Sequence, residues 1–306
     1  MSTGNKQILQ VSRELVFGTT PDPFVRKAIP FTTIELDSVP NKADSTVILD
    51  SRLAQKGAIV SVNHEGNLTT EMRYGVYDDF LASNAMNEWA GDTLTFGGDV
   101  KIPLSVMRGY KDANNYHVFA GTLVNMFELT VATESIVTMS FGLMSKSRTP
   151  SMIVPTGTVT TPTLPPPYTN VSVGDILIDG QSMAGIACIS EFSFSWDNSM
   201  EARKCLGQGL ETGNIVSKTA NGTGSFTMEW SQDAWELYEK QFSNTTIGVV
   251  VPFLDSAGNG YTLTIPQMEI TSPLPSGGMD DTLQLTVEYK TTAQAPVLVR
   301  APFTGP

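Results

Sequence analysis

The chain writes one pattern twice. Residues 66–82 read GNLTTEMRYGVYDDFLA and residues 224–240 read GSFTMEWSQDAWELYEK. A gap-free alignment at an offset of 158 puts Gly66 on Gly224, Leu68 on Phe226, Thr69 on Thr227, Glu71 on Glu229, Met72 on Trp230, Tyr77 on Trp235 and Phe80 on Tyr238. The first half of each copy alternates, with Leu68, Thr70, Met72 and Tyr74 on one face and Asn67, Thr69, Glu71 and Arg73 on the other, the period of a half-buried strand. Apolar residues then recur at helical spacing, with acidic residues in the first turns. The unit is a strand, a turn and a short amphipathic helix, and any fold for this chain must hold it twice.

Matching stretches flank both copies in the same order. Residues 32–37 parallel 192–197 at an offset of 160, residues 124–130 parallel 265–271 at 141, and residues 136–143 parallel 282–289 at 146. Four correspondences in one order predict two tandem copies of one mostly β domain, each carrying one short helix. The expected division is an N-terminal arm at 1–30, copy 1 at 31–148, a Pro/Thr-rich linker at 149–174, copy 2 at 175–290 and a C-terminal tail at 291–306. Pro150, Pro155, Pro162, Pro165, Pro166 and Pro167 keep the linker out of any helix or central strand. Within copy 1, Asp112, Ala113, Asn114 and Asn115 supply the residue types of a hairpin turn.

Composition then excludes whole classes of function. A chain of 306 residues suffices for two domains with their own cores. Its net charge of −12 opposes any surface built to grip nucleic acid, because phosphate binding is driven by Lys and Arg. Neither a basic stretch followed by an apolar core at the N-terminus nor an apolar run of about 18 residues is present, so neither secretion by that route nor a membrane span is expected. Two cysteines are too few for a disulfide framework, which fits synthesis in a reducing cytoplasm.

Catalytic constellations are missing. Asp78 with Asp79 opens a helix, where negative charge suits the dipole, and Asp280 with Asp281 sits in a Gly-rich turn. His64 and His117 have no Cys or His at ligand spacing. Cys188 reads as a small core residue, and Phe192, Phe194, Trp196, Trp230 and Trp235 as core aromatics. No cofactor is expected, and no enzyme. Two long loops, residues 39–57 and 198–213, fall at equivalent places in the copies and suggest a repeated contact surface.

Two tandem β-sandwich copies with the order strand, long loop, strand, helix, hairpin and closing strands, joined by a Pro/Thr linker, resemble the major tail tube protein of long-tailed bacteriophages, in the branch whose subunit carries two tail-tube domains. That resemblance implies a structural virion subunit made in the bacterial host cytoplasm. Three copies would close a pseudo-sixfold ring whose edge strands join into a barrel. Rings would stack through the long loops, with Asp50, Arg52, Lys56, Glu201, Arg203 and Lys204 as contact candidates. Partners would be further copies, the tape measure protein and tail-end or baseplate proteins. Double-stranded DNA would pass without specific binding along an acidic lining, for which Glu35, Asp37, Glu71, Glu128, Asp197, Glu229 and Glu269 are the polar-face candidates. The competing assignment is that those carboxylates face solvent on the outside of the sandwich or form interfacial ion pairs with Arg73 or Lys101. The competing class is an adhesin-like or particle-surface β-module.

Overall fold

The computed structural model describes residues 3–50, 52–243 and 245–301; the first two residues of the expected arm and the last five of the expected tail lie outside this range. The first half of the chain forms β1 (Gln7–Arg13), β2 (Arg26–Ala28), β3 (Thr33–Ile34), β4 (Asp37–Ala43), β5 (Ala58–Glu71), α1 (Asp78–Ala85), β6 (Thr93–Thr95), β7 (Leu104–Tyr110), β8 (Asn115–Ala132), β9 (Thr138–Ser145) and β10 (Ser147–Ser151). After β11 (Val159–Thr160) come β12 (Leu177–Ile178), β13 (Gln181–Ser182), β14 (Ile189–Asp197), β15 (Glu201–Arg203), β16 (Asn214–Val216), β17 (Asn221–Glu229), α2 (Gln232–Lys240), β18 (Ile247–Leu254), β19 (Gly260–Thr271), β20 (Gln284–Thr291) and β21 (Val297–Val299). The protein is mostly β with two short helices, as the alternating patterns predict.

Apart from the β15–β16 pair, the strands form two layers over one large apolar core, with two smaller clusters beside it. One layer runs β3 and β4, then β5, β9, β8, β14, β17, β20 and β19, every neighbouring pair antiparallel. The other layer consists of β2, β1, β7, the first half of β8 and β10 in the first half of the chain, and of β13, β12, β18, the first half of β19 and β21 in the second. β8 serves both layers. Its Asn115–Thr122 portion lies between β7 and β10, and its Leu123–Ala132 portion lies between β9 and β14. β8 is therefore one strand that changes layer at a register shift between Val124 and Met126, as bulges allow. Inward residues of both layers, among them Leu9, Val11, Leu68, Val106, Phe141, Phe194, Phe226 and Val287, meet in one buried cluster.

The same succession of partners occurs in both halves, and the registers correct two of the offsets read from sequence. Leu68 pairs with Phe141 and Phe226 with Val287, which agrees with offsets of 158 and 146. Ile34, not Thr32, holds the place of Phe192, because Ile34 pairs with Leu68 and Phe192 with Phe226. Likewise Met126 pairs with Gly142 and Thr271 with Glu288, so β19 sits four residues from the position given by matching VNMFELT to IPQMEIT. A shift by an even number leaves every side chain on its face, so residue types alone tolerate either register.

The expected arm, linker and tail are all built into the fold. β1 pairs along its whole length with β7, burying Leu9 and Val11. Within 149–174, β10 overlaps the linker, β11 runs parallel to β2, and Tyr168 is fully buried. β21 of the tail bridges β19 to β6, and Arg300 closes an ion pair with Asp78 at 2.6 Å while stacking over Trp89. The loop at 39–57 is shorter than expected, because β4 runs on to Ala43. Cys188 and Trp235 are exposed rather than core. Trp235 sits on the outer side of α2, where helical spacing alone cannot say whether a second element covers it.

Where β8 meets β14 the two halves of the chain become one sheet, in register from Met126 with Asp197 to Ala132 with Glu191. A buried amide cluster locks this seam. Asn198 donates from Nδ2 to the Asn84 carbonyl at 2.7 Å and accepts at Oδ1 from the Trp196 indole, while Asn84 at the end of α1 donates to the carbonyls of Val124, Asn125 and Trp196. Replacing Asn198 by Ala leaves these buried groups short of partners and should cost about 1–3 kcal/mol. Chemical denaturation checks this, and an unchanged midpoint would remove the seam's polar lock from the account.

Candidate functional site

The layer shared by both halves has one side on the core and one side open, and the pairing places its polar residues in rows. Thr33, Thr69, Ser140, Glu128, Ser195, Thr223, Lys290 and Glu269 stand side by side across eight strands. Glu71, Thr138, Thr130, Ser193, Ser225, Glu288 and Thr271 form the adjoining row. Strand alternation dictates this: Phe192, Phe194 and Trp196 are buried, so Glu191, Ser193, Ser195 and Asp197 face out. Hydroxyls dominate, and the charge is nearly all negative.

All seven carboxylates singled out from sequence lie on this one face. Glu35 and Asp37 are carried by β3, β4 and the residues between them, Glu71 by β5, Glu128 by β8, Asp197 by β14, Glu229 by β17 and Glu269 by β19. The structure adds Glu65 opposite Asp37, Glu191 opposite Ala132 and Glu288 opposite Ser225. Sequence reading missed them because it followed only positions matched between the copies, although their alternation with buried neighbours was visible. Glu71 is partly neutralised, its carboxylate lying 2.6 Å from the Arg73 guanidinium. Lys101 is not its partner, since that ammonium donates to Asn214 and to the Ile215 carbonyl. Lys290, directly across from Glu269, is the cation set within the rows.

The loop candidates separate into two groups. Asp50, Arg52 and Lys56 are exposed at the tip of the β4–β5 hairpin, a tip that also exposes Val47, Ile48 and Leu53. Glu201, Arg203 and Lys204 are exposed as well, but sit on a segment tied to the rest of the chain. Glu201 and Arg203 belong to β15, which pairs with β16, and Glu201 forms an ion pair with Lys218 at 2.6 Å. Lys204 folds back on β5, donating to the Val62 carbonyl and to Thr212. Beneath it lies His64, buried, with Nδ1 2.7 Å from the Ser38 hydroxyl. Burial, with the positive charges of Lys204 and Arg148 adding to it, pushes the His64 pKa down to about 4.

Asp78, Asp79 and Asp281 are structural ties. Asp78 receives Arg300 and the Tyr261 hydroxyl, Asp79 receives Arg13, and Asp281 accepts from the Gly278 amide. Among the described residues no group of three or more His, Cys, Asp or Glu side chains is gathered as a metal site, and no helix is long and apolar enough to cross a membrane. What the open face offers is geometry and potential: a broad, hydroxyl-lined, negatively charged sheet surface.

Comparison with protein families finds one model, described as phage tail tube protein, that matches residues 4–291. No curated protein matches the chain.

The buried imidazole under Lys204 makes a pH prediction. Between pH 6.5 and about 4 the unfolded chain binds a proton at His64 that the folded chain refuses, so stability falls as pH drops through that window. His64→Gln should remove up to about 3 kcal/mol of this dependence. Denaturation midpoints of both proteins across that range test it, and parallel profiles would refute it.

Proposed function

The chain belongs to the phage tail tube protein family, and from that premise we propose that its open acidic face lines the channel of a tube built from rings of this subunit. It is a structural component of the virion tail. The carrying observation is that all seven expected carboxylates, and three more, share one exposed face of a single nine-strand layer, while the opposite face is core. DNA moving past carboxylates and hydroxyls meets repulsion and short neutral side chains, with Lys290 and Arg73 as the local cations, so it slides without sticking.

The matching succession of strand partners in the two halves supports a duplicated tail-tube domain, with boundaries near 31–148 and 175–290. Two domains per chain call for three chains in a ring with pseudo-sixfold symmetry. Before DNA fills the channel, the same lining would hold the tape measure protein, and the tube would end on tail-end or baseplate proteins. Rings stack through the hairpin tip carrying Asp50, Arg52 and Lys56. The segment with Glu201, Arg203 and Lys204 supports that hairpin from the side. Synthesis takes place in the host cytoplasm.

Negative-stain electron microscopy of the purified chain at rising concentration tests the tube: hollow tubes or pored rings are expected, and a discrete pore-free oligomer would sink the reading. Charge reversal tests the lining. Glu128→Lys with Glu269→Lys, both at exposed positions, should leave tubes intact and slow DNA delivery, whereas undiminished infectivity would count against these residues facing the channel.

A further inference from the structure

The chain has two histidines, and both stand in one corner between the layers, at the base of the β4–β5 hairpin. His64 lies on β5 with its ring edge-on to Phe119 of β8, the centroids 6.4 Å apart. His117 lies on β8 two residues from Phe119, opposite Arg108 of β7 and Pro150 of β10. Although the net charge of the chain is −12, cations gather here. Arg148 of β10 disfavours the charged form of both rings, Arg108 that of His117, and Lys204, which follows β15, that of His64. The carboxylates facing the group are Asp37 of β4, which favours charge on His117, and Glu65 of β5 with Glu211, which favour charge on Lys204. Among the described residues none of the three accepts a hydrogen bond from either ring.

The same corner fastens the hairpin to its surroundings. Arg108 donates to the Leu36 carbonyl at 2.8 Å, just before β4, and the Ser38 hydroxyl of β4 lies 2.7 Å from Nδ1 of His64. The pairing of β5 with β9 ends at His64. Beyond it, that edge of β5 is held by the Leu210 carbonyl, which accepts from the Val62 amide, and by Lys204, which donates to the Val62 carbonyl. Each imidazole keeps one buried ring nitrogen without a partner, Nε2 in His64 and Nδ1 in His117. An imidazolium donates from both nitrogens, so a proton added to either ring leaves a buried N–H with no acceptor.

We propose that this corner is an acid-sensitive latch: protonation of His64 and His117 drives the β4–β5 hairpin away from the second layer while the rest of the sandwich stays folded. Opening brings both rings into water and lifts Arg108 and Lys204 off the carbonyls of Leu36 and Val62. The sign follows from the neutral folded rings. His64, held down to about 4 in the closed corner and titrating near 6.5 once exposed, makes opening easier as pH falls. From pH 7 to pH 5 this ring alone raises the opening constant roughly 20-fold, and His117, lowered in the same direction, adds to it. The hairpin tip carries the proposed stacking contacts, so an open latch would also loosen stacked rings. That last step rests on the ring reading, whereas the latch itself does not.

Hydrogen exchange on the full chain before assembly, expressed as protection factors at pH 7 and pH 5, tests the latch. Protection across residues 62–65 should fall roughly 20-fold or more while that of β14 and β17 holds. His64→Gln with His117→Gln should abolish the fall. Arg148→Gln, which keeps both histidines, should move it to lower pH, an effect that a merely structural role for Arg148 would not produce. Unchanged protection between the two pH values, or an equal fall in the double variant, would overturn the latch. Tubes are read separately by electron microscopy: wild-type tubes should come apart at pH 5 and those of the double variant persist. A chain that never forms tubes but loses hairpin protection at pH 5 overturns the ring reading and supports the latch. Tubes whose hairpin loses protection at pH 5 only in step with the double variant overturn the latch and leave the tube standing.

Discussion

Antiparallel pairing of β8 with β14 is the interaction on which the rest of this structure depends. Either half alone would expose a sheet edge, a row of amides and carbonyls open to wrong partners. Joined in register, the halves satisfy those groups in each other and bury Phe127, Phe194 and Trp196 on the core side of the seam. The asparagine cluster of Asn84 and Asn198 then selects one register, because a slip would strand buried amides without partners. The polar rows on the open face stay aligned across eight strands only because this seam is in register.

The open face is defined by subtraction. The core takes every alternate residue of the layer, and what remains is Ser, Thr and carboxylate, with few cations among them. Negative charge gathered on one side of a sheet costs self-repulsion, tolerable here because the groups are solvated and spaced by the pleat. In the proposed channel, a surface that binds nothing tightly is what passage of a polyanion requires.

The terminal and linking segments make the two layers one body. β1 and β21 extend the second layer, and β21 ties β19 to β6 across the halves. The Arg300–Asp78 pair under Trp89 fastens that tie to the start of α1. The segments expected as arm and tail are part of the fold, and their residues Leu9, Val11 and Leu298 are core.

Local pattern alone determined that Leu68, Met72, Phe194 and Phe226 face inward, that Glu71, Glu128 and Glu269 face outward, and that α1 and α2 start where acidic residues follow a strand. Those facts depend only on the two-residue and 3.6-residue periods of the backbone. Tertiary structure decided what periodicity cannot carry. A shift of two or four residues preserves every face, so only the observed pairing distinguished Ile34 from Thr32 as the match of Phe192, and moved β19 from the alignment of VNMFELT with IPQMEIT. Whether Trp235 or Cys188 is covered depends on a neighbour that its own element does not specify. That the polar faces of distant strands form one surface followed from the β8–β14 seam, because strand order in a sheet is set by contacts between segments far apart in the chain.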